Sequence, residues 1–507
     1  MKRSKFSLSN YKLASIDMGV LTPIGWYEVL PGDTIQHSTS ALVRAAPLVS
    51  PVMHPLHVRI HHFFVPNRLI WNEWEDFITG GPNGTSTPAH PYITTSGATL
   101  GTLGDYLGVP VSVNTNSQIS ALPYRAYQLI WNQYYRDEDL QTPATFSTNS
   151  GSDATTSINL QNVAWEKDYF TSARPWTQKG NAVTVPIGTS APVTRVSNAP
   201  NSILGYQLGN NTVIADNQNV TARPSIATSF TAGTIGLTNT GTQAFSGMTL
   251  DPRGSLIADL SNASAVSVNQ LRLALALQRY EEARARYGSR YTEYLRYLGV
   301  RSSDARLQRP EYLGGGKETI QFSEVLQTAV TGTVTATNAV GALKGHGISA
   351  MRSNRYRRFF EEHGIVMSLM SVRPKTVYMN GIFKKFNRLT KEDYWQKELE
   401  HIGQQAVTNR EIYALSTTPT GTFGYQDRYD EYRREESTVA GEFRSTLNYW
   451  HMARDLGSAP TLNSAFVSCV PTLRTFASSE TDPIYVMARH SIQARRQLSR
   501  NANPQTF

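Results

Sequence analysis

PLHVRIHHFFVP (Pro55–Pro66) is the stretch whose reading decides the fold. β-Branched and aromatic residues crowd between two prolines, which is the signature of a strand that stops abruptly at loops. Upstream, ALVRAAPLVSP (Ala41–Pro51) has the same texture, and the whole run from Asp17 to Leu69 reads as extended. Downstream, RLIWNEWEDF (Arg68–Phe77) places Trp71, Trp74 and Phe77 at helical spacing and predicts a short amphipathic helix. Gly80–Gly104 is rich in Gly, Pro and Thr and reads as loop.

Further out, LPYRAYQLIWNQYYRDED (Leu122–Asp139) predicts a second helix. Its aromatic face is Tyr124, Tyr127, Ile130, Trp131, Tyr134 and Tyr135, and Pro123 suits the first turn. A third helix spans Asn269–Tyr297, with Gly288 its one soft spot. Strand texture returns in ETIQFSEV (Glu318–Val325), GIVMSLMSVRP (Gly364–Pro374) and TVYMNGIF (Thr376–Phe383). YWQKELEHIG (Tyr394–Gly403) reads as a short helix, and from Glu411 onward the chain is mostly loop. Residues 1–13 read as a basic, polar arm. Strands thus lie towards both ends, with helices and long loops between, so one mainly-β domain built from distant segments is expected.

Asn181–Ala265 differs from everything around it. Its only charged residues are Arg195, Asp216, Arg223, Asp251, Arg253 and Asp259, in a background of Thr, Ser, Asn and Gly. This predicts an inserted surface module (181–265) between two parts of one body (1–180 and 266–507).

Charged residues make up 17% of the 507-residue chain, below the roughly 25% usual for soluble proteins, while aromatics reach 10%. That balance fits a protein that hides much of its surface against copies of itself. The net charge of +9 points to an anionic partner. A single cysteine, Cys469, excludes an intrachain disulfide. No apolar run approaches the ~18 residues of a membrane span, so no membrane insertion is expected. MKRSKFSLSNYKL at the start has positive charge but no apolar stretch behind it, which argues against a signal peptide.

Candidate chemistry is sparse. His54, His57, His61 and His62 invite a metal reading, but adjacent strand residues point to opposite faces, and His57 and His61 would sit roughly 13 Å apart. Zinc needs its ligands about 2 Å from one centre, so packing or interface histidines are expected. Glu361, Glu362 and His363, like Glu398, Glu400 and His401, lack HExxH spacing and read as solvated faces or ion pairs. GGGK (Gly314–Lys317) is not a phosphate loop, because position 311 is Glu and no Ser or Thr follows the lysine; it reads as a turn. No GxSxG elbow occurs. The expectation is no catalytic residue, no metal and no cofactor.

RSNRYRRFF (Arg352–Phe360) is the exception. Arg352, Arg355, Arg357 and Arg358 interleave with Tyr356, Phe359 and Phe360. Charge and stacking rings together suit single-stranded nucleic acid, since every phosphate carries a charge and every base a π-face. The competing reading is that these arginines bridge carboxylates on a neighbouring subunit. Lys2, Arg3 and Lys5 form a second candidate, with a solubilising tail as its alternative.

Several blocks occur in a recognisable order: EVLPGDT (Glu28–Thr34), FFVPNRLIW (Phe63–Trp71), LIWNQYYRDEDLQ (Leu129–Gln141), DYFTSARPWTQKG (Asp168–Gly180), RYTEYL with DARLQRPEYLGGG (Arg290–Gly316), EHGIV (Glu362–Val366) and FGYQDRYDEYR (Phe423–Arg433). Together they resemble the major capsid proteins of the Microviridae, closest to the gokushovirus branch. The resemblance implies an eight-stranded antiparallel jelly roll, the viral capsid β-barrel, with large helical and loop insertions. It also implies five-fold clustering and a 60-copy T=1 icosahedral shell around circular single-stranded DNA, assembled in the host bacterial cytoplasm. In this branch a variable insertion builds a protrusion at each three-fold axis. Residues 181–265 occupy that place, implying contact with a host surface receptor. Tyr127, Trp131, Tyr135, Trp165 and Trp176 are large rings of the kind that anchor subunit contacts. Ala477–Phe507 contributes none of the blocks, and Arg489, Arg495, Arg496 and Arg500 receive no role.

At +9 per chain, sixty copies would bring about 540 positive charges, several-fold fewer than the phosphates of a genome of a few kilobases. A small basic packaging protein, or mobile cations, would have to supply the rest. Two readings from other classes compete with the capsid: a secreted or virion-displayed carbohydrate-binding or glycan-hydrolysing β-sandwich, and a nucleic-acid-binding monomer or dimer. The absent signal peptide and absent paired acids weigh against the first. Dispersed arginines and sheer bulk weigh against the second.

Overall fold

The computed structural model describes residues 3–114, 116–181, 183, 268–287, 290–301, 303–326, 340, 343–477 and 482–499, with the backbone of short strands between 193 and 258. Ten strands build the body: β1 (Ser4–Ser7), β2 (Asn10–Ile16), β3 (Thr22–Val29), β4 (Thr34–Ala45), β5 (Leu56–Pro66), β6 (Glu311–Leu326), β7 (Leu343–Arg352), β8 (Tyr356–Phe359), β9 (Gly364–Pro374) and β10 (Ile484–Arg496). All pair antiparallel. In the first sheet β1 and β2 flank β10, which pairs with β4, and β4 pairs with both β7 and β8. The second runs β3–β9–β5–β6. One half of β6 pairs with β5 and the other with β7, joining the sheets along one side. With β1/β2 and β7/β8 each counted as one interrupted strand, the eight strands follow jelly-roll order.

Alternation along the strands explains the layering. In β10, Ile484, Val486, Ala488, His490, Ile492 and Ala494 are buried, while Tyr485, Met487, Arg489 and Arg495 are exposed. Strand β9, by contrast, is buried almost throughout, the pattern of a strand covered on both faces. Val43, Val58, Ile60, Met370, Val372 and Ile484 form the core between the sheets. The outer face of the second sheet is covered by a helical layer, α1 (Trp74–Thr79), α2 (Leu103–Leu107) and α3 (Leu122–Tyr134), through Trp71, Tyr127, Ile130 and Trp131 against Phe63 and Met367. Helices α4 (Val268–Tyr287) and α5 (Tyr291–Tyr297) replace the single long helix expected there.

The chain forms two compact units, 1–179 with 282–507, and 180–281. In the smaller one, Leu204–Leu208 pairs antiparallel with Thr212–Ala215 and Phe245–Leu250, and Ile226–Thr231 pairs with Thr234–Asn239. Most of the low-charge block lies outside the described residues.

Several expectations are corrected. The N-terminal arm is not loose: beyond its first two residues it forms β1 and β2, because β10 supplies a full edge of backbone partners. The GGGK run is no turn but the middle of β6, with a bulge between Tyr312 and Gly314. A Cβ on Gly315 would lie 2.1 Å from the Ile60 carbonyl oxygen, so the close approach of β5 admits only glycine. Thr376–Phe383 makes only isolated bridges, from Tyr378 to Thr438 and Arg454. Tyr394–Gly403 holds a single 3-10 turn, Lys397–Leu399. Ala41–Pro51 is half strand, ending at Ala45, and Arg68–Phe77 is split between a 3-10 turn at Asn67–Leu69 and α1.

The five rings expected at subunit contacts divide between core and half-buried positions of the single chain. Tyr127, Trp131 and Trp165 sit in the protomer core. Tyr127 OH donates to the Leu21 carbonyl and Trp131 Nε1 to that of Asn162, so both are used in packing the helical layer. Tyr135 and Trp176 are half-buried, and the Tyr135 hydroxyl is 2.6 Å from His61 Nδ1.

Candidate nucleic-acid interface

Among the described residues no helix covers the outer face of the first sheet, which carries most of the basic candidates. Backbone register fixes which side chains share it, since residues directly opposite across a pair project to the same side. At one end Lys5, Arg495, Thr34 and Phe359 lie abreast across four strands. Two residues along come Ser7, Gln493, Gln36 and Arg357. Farther on the rows are Tyr11–Arg489–Ser40–Arg352, Leu13–Met487–Leu42–Ala350 and Ser15–Tyr485–Arg44–Ile348. No position in these rows is acidic. Lys5, Arg44, Arg352, Arg357, Arg489 and Arg495 are all exposed. Among the described residues no carboxylate forms an ion pair with any of them.

Rings lie between the cations. The Arg489 guanidinium sits 5.7 Å from the Tyr11 ring centre and that of Arg3 5.1 Å from Phe359. Arg3 also donates to Thr34 Oγ1 at 3.4 Å. Such pairs hold a guanidinium flat while leaving its charge uncompensated.

The predicted run Arg352–Phe360 is divided by the sheet. Arg352 and Arg357 reach the bare face, and Arg355 is exposed in the turn between β7 and β8. Arg358 falls on the opposite side, in register with Ile35, and pairs with Glu311 at 2.7 Å. Tyr356 is buried, its hydroxyl 2.8 Å from that of Tyr27, and Phe360 is core. Lys2 lies outside the described residues. Sequence reasoning missed Tyr11, Arg44, Tyr485, Arg489 and Arg495. The signal was there in IYVMARHSIQARR (Ile484–Arg496), whose apolar residues alternate with polar and basic ones at a period of two.

Each of the clustered histidines has a packing role. His54 hydrogen-bonds the Lys375 carbonyl, His57 the Thr319 hydroxyl, His61 the Tyr135 hydroxyl and His62 the Ser368 hydroxyl. Among the described residues no group of His, Cys, Asp and Glu converges as a metal site. Glu362 pairs with Arg68 at 2.6 Å and Glu400 with Arg433 at 3.9 Å, which is structural use of both acid–histidine clusters. No helix among the described residues is long and apolar enough to cross a membrane.

Comparison with known proteins agrees with this architecture. The family model described as capsid protein (F protein) matches residues 1–506. Capsid protein VP1 of Bdellovibrio phage phiMH2K is 37% identical over 95% of this chain and 90% of the relative. Capsid protein VP1 of Chlamydia phage 1 is 35% identical, covering 92% and 89%. That of Spiroplasma virus 4 is 33% identical, covering 92% and 87%. A match along nearly the whole length, on a jelly-roll body, places this chain in the phage capsid F-protein family, as a structural major capsid protein of the Microviridae type.

Proposed function

We propose that sixty copies of this chain, clustered in fives, close into a T=1 icosahedral shell around a circular single-stranded DNA genome. The outer face of the first sheet is then the genome wall. One observation carries this reading: a four-strand-wide face with exposed Lys5, Arg44, Arg352, Arg357, Arg489 and Arg495 and no carboxylate in its rows. A face of one sign attracts a polyanion, and rings among the cations suit one whose bases are unpaired. Membership in a capsid family removes the glycan-hydrolysing reading. The block 181–265 forms the surface protrusion that meets the host receptor, a small basic packaging protein makes up the missing charge, and assembly takes place in the host cytoplasm.

Replacing Arg352, Arg489 and Arg495 together with alanine should yield closed particles with reduced DNA content. Binding of the unassembled chain to an oligodeoxynucleotide should lose about 2 from its log–log salt slope, at ~0.7 per phosphate contact on single strands. Full DNA content with broken shells would instead assign these arginines to contacts between copies. Deleting residues 201–254 should leave shell formation intact and abolish adsorption to host cells. A deleted chain that fails to fold would show that the block belongs to the body.

A further inference from the structure

The basic rows do not account for the whole of the bare face. Past Tyr11–Arg489–Ser40–Arg352 its character changes to Leu13, Met487 and Leu42, and then Tyr485 and Arg44. These side chains line an open groove of about 400 Å³. Leu13 is 77% exposed, Tyr485 43% and Met487 41%. Large apolar groups gathered at one place on a polar face mark a binding surface.

Three features limit what can fill it. The groove is continuous with the arginine rows: the Leu13 row is the next outward-facing row after that of Arg489, about 7 Å along the strands. Arg44 brings a cation into the groove itself, and the carboxylate of Asp482, which accepts from Ser15 Oγ at 2.9 Å, marks its far end. A second copy of this face is a poor occupant, because two such faces would oppose the cations of one to those of the other, with Asp482 at the groove's end as the one carboxylate beside the rows, among the described residues, to offset them. The ligand must therefore combine negative charge with apolar surface.

We infer that this groove receives unpaired nucleobases of the strand whose phosphates lie on the adjoining arginine rows, Tyr485 providing the stacking ring and Leu13, Leu42 and Met487 the apolar floor. The inference rests on the genome-wall reading and deepens it. Charge alone would hold any polyanion; the groove selects one whose bases are free to turn inward. Recognition is independent of base identity, since every base offers a π-face and the apolar floor offers no directional hydrogen bond.

The test uses the full-length chain, dissociated from particles, with two fluorescent probes of equal length: oligothymidylate and an abasic strand. Oligothymidylate should bind about tenfold more tightly than the abasic strand, within the range expected for stacking on one ring. Tyr485→Ala should erase most of that difference while leaving abasic binding unchanged, and Tyr485→Trp should restore it. Arg489→Ala should weaken both probes alike. Equal binding of the two probes by the unaltered chain would overturn the inference while leaving the genome wall in place. So would a Tyr485→Ala variant that binds both probes normally but loses self-association, which would make the groove a contact between copies. Failure of Arg489→Ala to weaken either probe would overturn the genome wall itself.

Discussion

Arg125→Ala should destabilise the protomer by about 3–5 kcal/mol, the range for removing one partner of a buried ion pair. Arg125 lies on α3 and both it and Asp153 are buried, with Nε donating to Asp153 Oδ2 at 2.7 Å. Nη1 donates to the Ile70 carbonyl at 3.0 Å and Nη2 to that of Asn149 at 2.8 Å. One guanidinium thus ties α3 to the segment carrying Trp71 and to the loop 149–156. Burial pushes the Asp153 carboxyl up, but the Thr156 hydroxyl and N–H and the Arg125 cation outweigh it and hold the group below its usual range. Without the arginine that carboxylate would be left desolvated and uncompensated. Thermal unfolding of the isolated chain should show a clear drop in midpoint. Arg125→Lys should recover only part of it, since an ammonium cannot span the same three acceptors. An unchanged midpoint for the alanine variant would mean the helical layer is held by its apolar contacts alone.

Acid should weaken the protomer through its buried histidines, ahead of most of its carboxylates. His37, His62 and His490 meet between the two sheets. His37 Nε2 is 3.2 Å from His490 Nδ1, His37 Nδ1 is 3.0 Å from the Tyr356 hydroxyl, and the His37 and His62 ring centres are 4.7 Å apart. Burial, with His490 beside it, pushes His37 down to about 3. Burial likewise lowers His62 and His490, and takes His54 and His61 to about 4. The unfolded chain protonates each near 6.5, whereas the folded chain keeps it neutral down to these lower values. Their stabilisation is therefore complete above about pH 6.5 and declines as pH falls towards 4. The slope is on the order of 1 kcal/mol per pH unit for each histidine. Glu436, pushed up to about 7 by burial and by Asp168, opposes the trend by one proton. The urea midpoint of the isolated chain should thus fall steeply between pH 7 and pH 4.5, and His37→Gln should flatten the decline. A midpoint constant over that interval would mean that water reaches the space between the sheets.

How legible the fold was depended on whether the deciding contacts were local. Leu56–Pro66 and Gly364–Pro374 announce themselves, because a covered strand needs β-branched and apolar residues at nearly every position. Residues 4–16 do not. They are short, polar and basic, and become strands only because β10, from the far end of the chain, offers them an edge. Gly314–Lys317 reads as a turn by composition, yet the glycines serve a close approach to Ile60 that no local rule reports. Arg125 is equally opaque, since an arginine on a helix reads as solvent-facing until Asp153 is brought beneath it.

The candidate site divides the same way. Charge balance, the absence of any catalytic spacing and the Arg–aromatic run around Arg352 are properties of the chain alone, and they point to an anionic partner without turnover chemistry. Which cations act together is not such a property. Adjacent Arg357 and Arg358 part to opposite faces, while Lys5, Arg352, Arg489 and Arg495 converge from the two ends and the interior of the polypeptide. Side-chain direction in a strand flips at every residue, and lateral neighbours are set by hydrogen-bond register between segments hundreds of residues apart. Composition decides that a charge is present; only the pairing of strands decides which way it points and what stands beside it.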